Sequence, residues 1–312
     1  MANVDSIKST IVRAKLRSMR IAFWLTERFV PRLGARMAAW MWFKLPPAPA
    51  RSAVPDGASA FSVESMGHTV RGLSWGTGPV VYALHGWGGR GDQFAAFVAP
   101  LVSAGYRVVV FDALSHGASD DGPSGRGRAH GVEFGRALDD VAVKFGPAHA
   151  VIAHSMGAIS SLLALRDGWL GAERLVMIAP MVDLTGHFDR FGATVGFGHR
   201  IRHHLNASTK ARTGVAVEGF SFDRIAEDLH PLPPTLFIHD RRDREAPHDM
   251  SARVVEHLPS AEIVSTDGLG HRRILQDPGV VAATVAHLRG VAAESDDARS
   301  EAEPEERADA IA

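Results

Sequence analysis

Val151-Ile-Ala-His-Ser155-Met-Gly157-Ala-Ile159 is the stretch on which the fold turns. A β-branched apolar run leads in, an alanine sits two positions before the serine, a glycine sits two after it, and a helical pattern follows at once. A serine at so sharp a strand-to-helix turn occupies strained backbone, and only small neighbours fit around it. Its place at a helix N-terminus also aims the next backbone N–H, that of Met156, at the point where negative charge would develop on a substrate oxygen. Small-x-Ser-x-Gly alone is common. Its position directly between a buried strand and a helix gives it weight.

Outward from this turn, strands and helices alternate. Upstream lie a hairpin (61–67 and 69–75), a strand at 80–84, a helix at 93–104, a strand at 107–111 and a helix at 133–145. Downstream lie a helix at 156–165, strands at 175–178, 235–238 and 262–265, and helices at 250–257 and 280–289. Apolar strands alternating with amphipathic helices predict an α/β fold with a mostly parallel sheet and helices on both faces. Residues 181–234 break the alternation and are rich in Gly, His and Arg. A compact domain does not tolerate a structureless loop of that length, so an inserted helical subdomain is expected. Residues 145–165 contain no Asp, Glu, Lys or Arg. Gly146-Pro147, two histidines and Ser155 make that run a buried strand–turn–helix rather than a membrane span.

The chain has 312 residues, 46% hydrophobic and 22% charged, the balance of a soluble globular protein. It has no cysteine, which excludes a disulfide framework, a thiolate nucleophile and cysteine-ligated metal sites. A net charge of −1 leaves no global basic field for nucleic acid. The charge is unevenly spread. Residues 1–48 carry nine Lys/Arg against Asp5 and Glu27, while 291–312 carry eight Asp/Glu against Arg299 and Arg307 and are expected to be disordered. The basic segment reads as amphipathic helix broken near Pro31, with Trp24, Trp40 and Trp42. Its longest charge-free stretch, 37–43, is far short of the roughly 20 residues a spanning helix needs. An Arg-rich helix with aromatics on its other face can lie in a membrane interface, but packing on the main domain is the preferred reading. The expected organisation is a basic helical segment (1–48), a linker (49–60), the main domain (61–290) and the acidic tail.

Three further strings carry chemistry. Val80-Val-Tyr-Ala-Leu-His85-Gly86-Trp87-Gly88-Gly89 runs from a strand into a glycine-rich turn that can offer a second backbone donor, Trp87 N–H. No Gly-Lys-Ser/Thr follows, so this is not a Walker loop. Gly91 and Asp112 leave a dinucleotide reading open on this string alone. Leu236-Phe-Ile-His239-Asp240-Arg-Arg-Asp243 ends a strand in a turn presenting carboxylates, and Thr266-Asp-Gly-Leu-Gly270-His271 ends another in a turn holding one histidine. A serine hydroxyl needs a base to take its proton, and the imidazole needs a carboxylate to orient it. The chain order here is Ser155, Asp243, His271, each beyond the C-terminal end of a predicted strand.

Over residues 61–290 the sequence resembles the α/β-hydrolase family of esterase/lipase type. The resemblance rests on the His85-Gly86 turn, the elbow at Ser155, the acid turn and the Gly-Leu-Gly-His turn. It rests also on Phe111-Asp112-Ala-Leu-Ser-His116-Gly117-Ala-Ser119, which is similar to the family's Asp-x-x-Gly-x-Gly-x-Ser loop. It implies an α/β-hydrolase fold with Ser155 as nucleophile, His271 as general base, Asp243 as its orienting acid, the amides of Trp87 and Met156 as oxyanion donors, and 181–234 as a lid. Ala153 stands for the usual first glycine of the elbow. Asp240 stands where glycine is usual and is a rival carboxylate, and Asp183 is the other position from which some members supply the acid. The implied activity is hydrolysis of a small-molecule carboxylic ester without cofactor or metal, in the cytoplasm. One alternative is a membrane-associated lipase of monoacylglycerol type, touching the membrane peripherally through residues 1–45, or a thioesterase. Another is a catalytically silent module that binds a small ligand or a protein partner.

Other polar residues are given lesser roles. His199 and His203 are four apart, as zinc ligands on a helix can be, but no third ligand accompanies them, and a place on the lid surface or along its pocket is expected. His116, His154 and His239 are expected to be structural, and Asp92 to cap a helix.

Overall fold

The structure, a computed structural model, describes residues 2–229 and 231–290, with side chains from residue 12 onward. The acidic stretch 291–312 lies outside the described residues.

The chain opens with α1 (Ala2–Phe29) and α2 (Pro31–Trp42). They part at Val30 because Pro31, lacking an amide hydrogen, starts a helix well and continues one badly. The hairpin of β1 (Ser59–Ser65) and β2 (His68–Trp75) follows, then β3 (Val80–Leu84), α3 (Ala95–Ser103), β4 (Arg107–Asp112), α4 (Gly131–Phe145), β5 (Ala148–His154), α5 (Met156–Arg166) and β6 (Ala172–Ile178). Next come three helices, α6 (Leu184–Val195), α7 (His199–Thr213) and α8 (Phe222–Asp228). The chain then runs through β7 (Thr235–Asp240), α9 (His248–Glu256), β8 (Ala261–Thr266), α10 (Gly270–Arg273) and α11 (Pro278–Leu288).

The eight strands of the described residues join one sheet in the order β1-β2-β4-β3-β5-β6-β7-β8. β1–β2 and β2–β4 are antiparallel, and every other pairing is parallel. The parallel strands are covered on both faces, so their sequences run apolar without alternation, as in Val80-Val-Tyr-Ala-Leu84, all of it buried. Alternate side chains enter two separate cores. Tyr82, Leu84, Val151 and Ala153 belong to one, and Val81, Ala83, Ala150 and Ile152 to the other. From β3 the chain goes to β4 on one side and returns to β5 on the other. The crevice beyond the C-terminal ends of β3 and β5 is therefore the switch point at which open α/β sheets bind ligands.

The N-terminal pair packs on the helices between β6 and β7. Phe23, Ala35, Ala38 and Ala39 are buried. Gly34 has no space for a Cβ, because the Ile201 side chain of α7 and Thr26 press against it. The Glu27 carboxylate accepts the amides of Gly198, Arg200 and Ile201 at 2.9–3.1 Å, capping α7 from across the sequence. No described helix is long and apolar enough to cross a membrane.

Candidate active site

Ser155 sits between β5 and α5 with φ 53° and ψ −118°. A non-glycine residue there costs about 1–3 kcal/mol and persists only when its surroundings enforce it. The enforcement is visible: Ser155 N–H donates to the Ile178 carbonyl and Met181 N–H donates to the Ser155 carbonyl, both at 3.1 Å, tying the turn to the end of β6. Ala153, at the usual glycine position, is fully buried beside its register partner Leu84. Gly157 must be glycine, since a Cβ would run into the carbonyls of Leu84 and His85.

Ser155, Asp243 and His271 meet above this turn. His271 Nε2 lies 3.0 Å from Ser155 Oγ, and His271 Nδ1 lies 2.7 Å from Asp243 Oδ2. An ionised carboxylate only accepts, so Nδ1 carries the proton and Nε2 is left to accept from the serine hydroxyl. Burial alone would raise the Asp243 carboxyl. Hydrogen bonds from His239 and His271 and from the Ala246 amide outweigh it and hold the group well below the usual carboxylate range. Its other oxygen accepts from Glu245 N–H at 2.7 Å and Ala246 N–H at 3.0 Å.

The rival carboxylates are occupied elsewhere. Asp240, fully buried, accepts from Thr266 Oγ1 and Leu269 N–H on one oxygen and from Arg242 N–H on the other, at 2.8–2.9 Å. It pins the acid turn to the turn that carries His271. Asp183 caps α6, accepting from Thr185 N–H and Gly186 N–H at 2.8 Å.

Histidines hold the surrounding loops. Ala113 N–H donates to His85 Nε2 at 3.0 Å, so the ring proton sits on Nδ1 and goes to the Gly86 carbonyl at 2.8 Å. Gly88 N–H donates likewise to His116 Nε2 at 3.1 Å, and His116 Nδ1–H donates to the Leu114 carbonyl. Burial holds His85 below the usual imidazole range, and burial next to His85 lowers His116 to about 3, so both rings are neutral and stitch the Trp87 turn to the loop after β4. Asp112 completes the seam through Gly91 N–H and Ala118 N–H, at 2.8 and 2.7 Å. Each of its oxygens thus accepts a backbone amide, and the side chain ties two loops together. His239 donates from Nε2 to the Ala246 carbonyl at 3.0 Å, with Asp243 Oδ2 at 3.3 Å, and its Nδ1 faces Ser251 Oγ at 2.8 Å.

Trp87 and Met156 line the same cavity as the serine. Among the described residues neither amide N–H has an acceptor, and the cavity, of about 250 Å³, is lined by His271 as well. Sequence reasoning missed one of the walls. Trp42 and Phe43, at the end of the N-terminal helix pair, line the cavity, as do Thr209 and Thr213 of α7. Trp42 packs on Phe188 and Phe191, with ring centroids 4.2 and 5.3 Å away. The run of aromatics at 40–43 was the available signal, but nothing local says which helix it meets. His199 and His203 lie exposed on α7, away from the cavity. Asp92 does not cap a helix. It pairs with Arg90 at 3.3 Å, and Gln93 Oε1 takes the Arg90 amide instead.

Fold and site define the class: the chain belongs to the alpha/beta hydrolase family, whose model matches residues 80–284. Among curated proteins it is 28% identical over 230 residues to the pimeloyl-[acyl-carrier protein] methyl ester esterase of Xanthomonas campestris pv. campestris, covering 64% of this chain and 90% of that one. Among solved structures it resembles a membrane phospholipase A described as a bacterial virulence factor, with a TM-score of 0.58 and 18% identity over 90% of this chain and 98% of that one. It also resembles an esterase from Exiguobacterium antarcticum, with a TM-score of 0.54 and 16% identity over 73% of this chain and 98% of that one.

Proposed function

We propose that the protein is a serine hydrolase that cleaves carboxylic esters through an acyl-enzyme. The observation that carries this reading is the unbroken chain Ser155 Oγ, His271 Nε2, His271 Nδ1, Asp243 Oδ2, with steps of 3.0 and 2.7 Å at the mouth of a cavity. Ser155 Oγ attacks the ester carbonyl carbon as His271 Nε2 takes the hydroxyl proton. The carbonyl oxygen becomes an oxyanion facing the amides of Trp87 and Met156. The tetrahedral adduct collapses, the C–O bond breaks, and His271 returns the proton to the departing alcohol. Water then attacks the acyl-enzyme, again losing its proton to His271. The carboxylic acid leaves and Ser155 recovers its proton. Asp243 stays ionised throughout, orienting His271 and stabilising its cationic form. No cofactor or metal enters the scheme.

The esterase relatives favour an ester over an amide or lactone. A thioester is the nearest variant of the same chemistry. In this reading α6–α8 serve as the lid, and the unit that functions includes the N-terminal helices, since Trp42 and Phe43 wall the cavity. The test is turnover of a panel of p-nitrophenyl esters from acetate to decanoate. Hydrolysis that disappears in Ser155→Ala supports the reading. Absence of turnover with every ester and thioester would favour a silent binding module.

A further inference from the structure

The two faces of the N-terminal helix pair are used differently. The inner face is buried on α7, and Glu27, the single carboxylate between residues 6 and 48, is engaged there by three amides. The outer face is bare. Of eleven exposed large hydrophobic residues among those described, eight lie between residues 12 and 40, including Trp24 at 63% and Phe29 at 68% exposure. Ile21, Leu25 and Phe29 recur every four residues and so form one line along α1. Arg13, Arg17, Arg20 and Trp24 form the neighbouring line and, with Ile21, border a shallow groove of about 500 Å³ against Gly196. Among the described residues no carboxylate pairs with Arg17 or Arg20.

A row of guanidinium groups beside a row of exposed aromatic and aliphatic side chains, on a helix whose opposite side is fixed to the body, fits one partner best. Guanidinium matches phosphate, and Trp, Leu and Phe settle at the boundary between headgroups and acyl chains. A second copy of this chain fits worse, because residues 1–48 carry nine cationic side chains and two acidic ones, of which Glu27 is already taken. We propose that the outer face of α1 and α2 lies in the plane of an anionic phospholipid surface. Trp24, Leu25 and Phe29 enter the interface, and Arg17 and Arg20 meet lipid phosphates. Packing and membrane contact are then not alternatives; they belong to opposite faces of the same helices. α2, about 18 Å long, links this face to the cavity wall at Trp42.

The test is co-sedimentation of the full chain with phosphatidylcholine vesicles, with and without about a third phosphatidylglycerol. Wild type should pellet with the anionic vesicles and be released as salt is raised. Trp24→Ser/Phe29→Ser and Arg17→Gln/Arg20→Gln should each weaken binding on the order of tenfold or more, with unchanged circular dichroism. No pelleting on either vesicle, or equal pelleting of wild type and both variants, would overturn the proposal. A vesicle-free dimer abolished by Trp24→Ser/Phe29→Ser would overturn it too and assign the face to a second copy. Soluble-ester hydrolysis measured on the same samples keeps the two readings apart. Activity without binding removes only the docking, and binding without activity removes only the serine hydrolase.

Discussion

His154, the residue immediately before Ser155, donates its Nε2–H to the backbone carbonyl of His271 at 2.8 Å. The neighbour of the candidate nucleophile thus holds the loop of the candidate base, and the two rings lie 4.8 Å apart. Burial, then the adjacent His271, lowers His154 to about 3, so the ring stays a neutral donor. His154→Phe removes the donor and leaves the carbonyl unpaired. We expect kcat for a soluble ester to fall about tenfold or more with KM nearly unchanged, because the error is in orientation and not in binding. A matching change in KM alone would contradict this.

The three carboxylates have separable tasks. Asp243→Asn should lower kcat about a thousandfold or more, by spoiling the His271 tautomer, with the fold intact. Asp183→Asn keeps a good helix cap and should leave activity within a few-fold of wild type. Asp240→Asn should lower the melting temperature, since it weakens the tie between the acid turn and the Leu269 amide. Steady-state kinetics with thermal unfolding on the three variants checks all of this, and near-normal kcat in Asp243→Asn would refute the assignment of the acid.

Trp42 closes the cavity from outside the central sheet. Trp42→Ala should raise kcat/KM for long-chain esters relative to butyrate, by up to about fourfold for each methylene newly accommodated. An unchanged chain-length profile would show that Trp42 does not bound the acyl group.

Stability should fall with pH on the acid side of neutrality. His85, His116 and His154 are buried and neutral with folded pKa values below the unfolded value of about 6.5. Above that value neither state is protonated and their contribution is whole. Below it the unfolded chain takes up protons that the folded chain refuses, so stability is lost down to the folded pKa, near 3 for His116 and His154. Each such group contributes up to about 1.4 kcal/mol per pH unit in this window. Urea unfolding at pH 8, 7, 6 and 5 reads the slope; His116→Gln should flatten it, and a flat wild-type profile would count against the neutral seam.

Much of the fold was legible because its signals are local. A buried parallel strand needs an unbroken apolar run, as at Val80–Leu84, and a strand-to-helix turn needs small residues at 153 and 157. The convergence of the loops bearing Ser155, Asp243 and His271 was legible through their order beyond the ends of β5, β7 and β8 and through the family resemblance. What could not be read locally was anything set by packing between distant segments. Trp42, at the end of α2, meets Phe188 of α6, a contact with no counterpart in spacing or period. The sequence favours Asp243 as the acid but leaves Asp183 and Asp240 as rivals, and the direction of each side chain separates the one facing His271 from those facing backbone amides.

Active-site labelling tests the central claim most directly. The wild-type protein, treated with a fluorophosphonate probe, should be modified once, at Ser155, and the label should be lost in Ser155→Ala while the variant remains folded. An unlabelled wild type, or an alanine variant labelled to the same extent, would contradict the account.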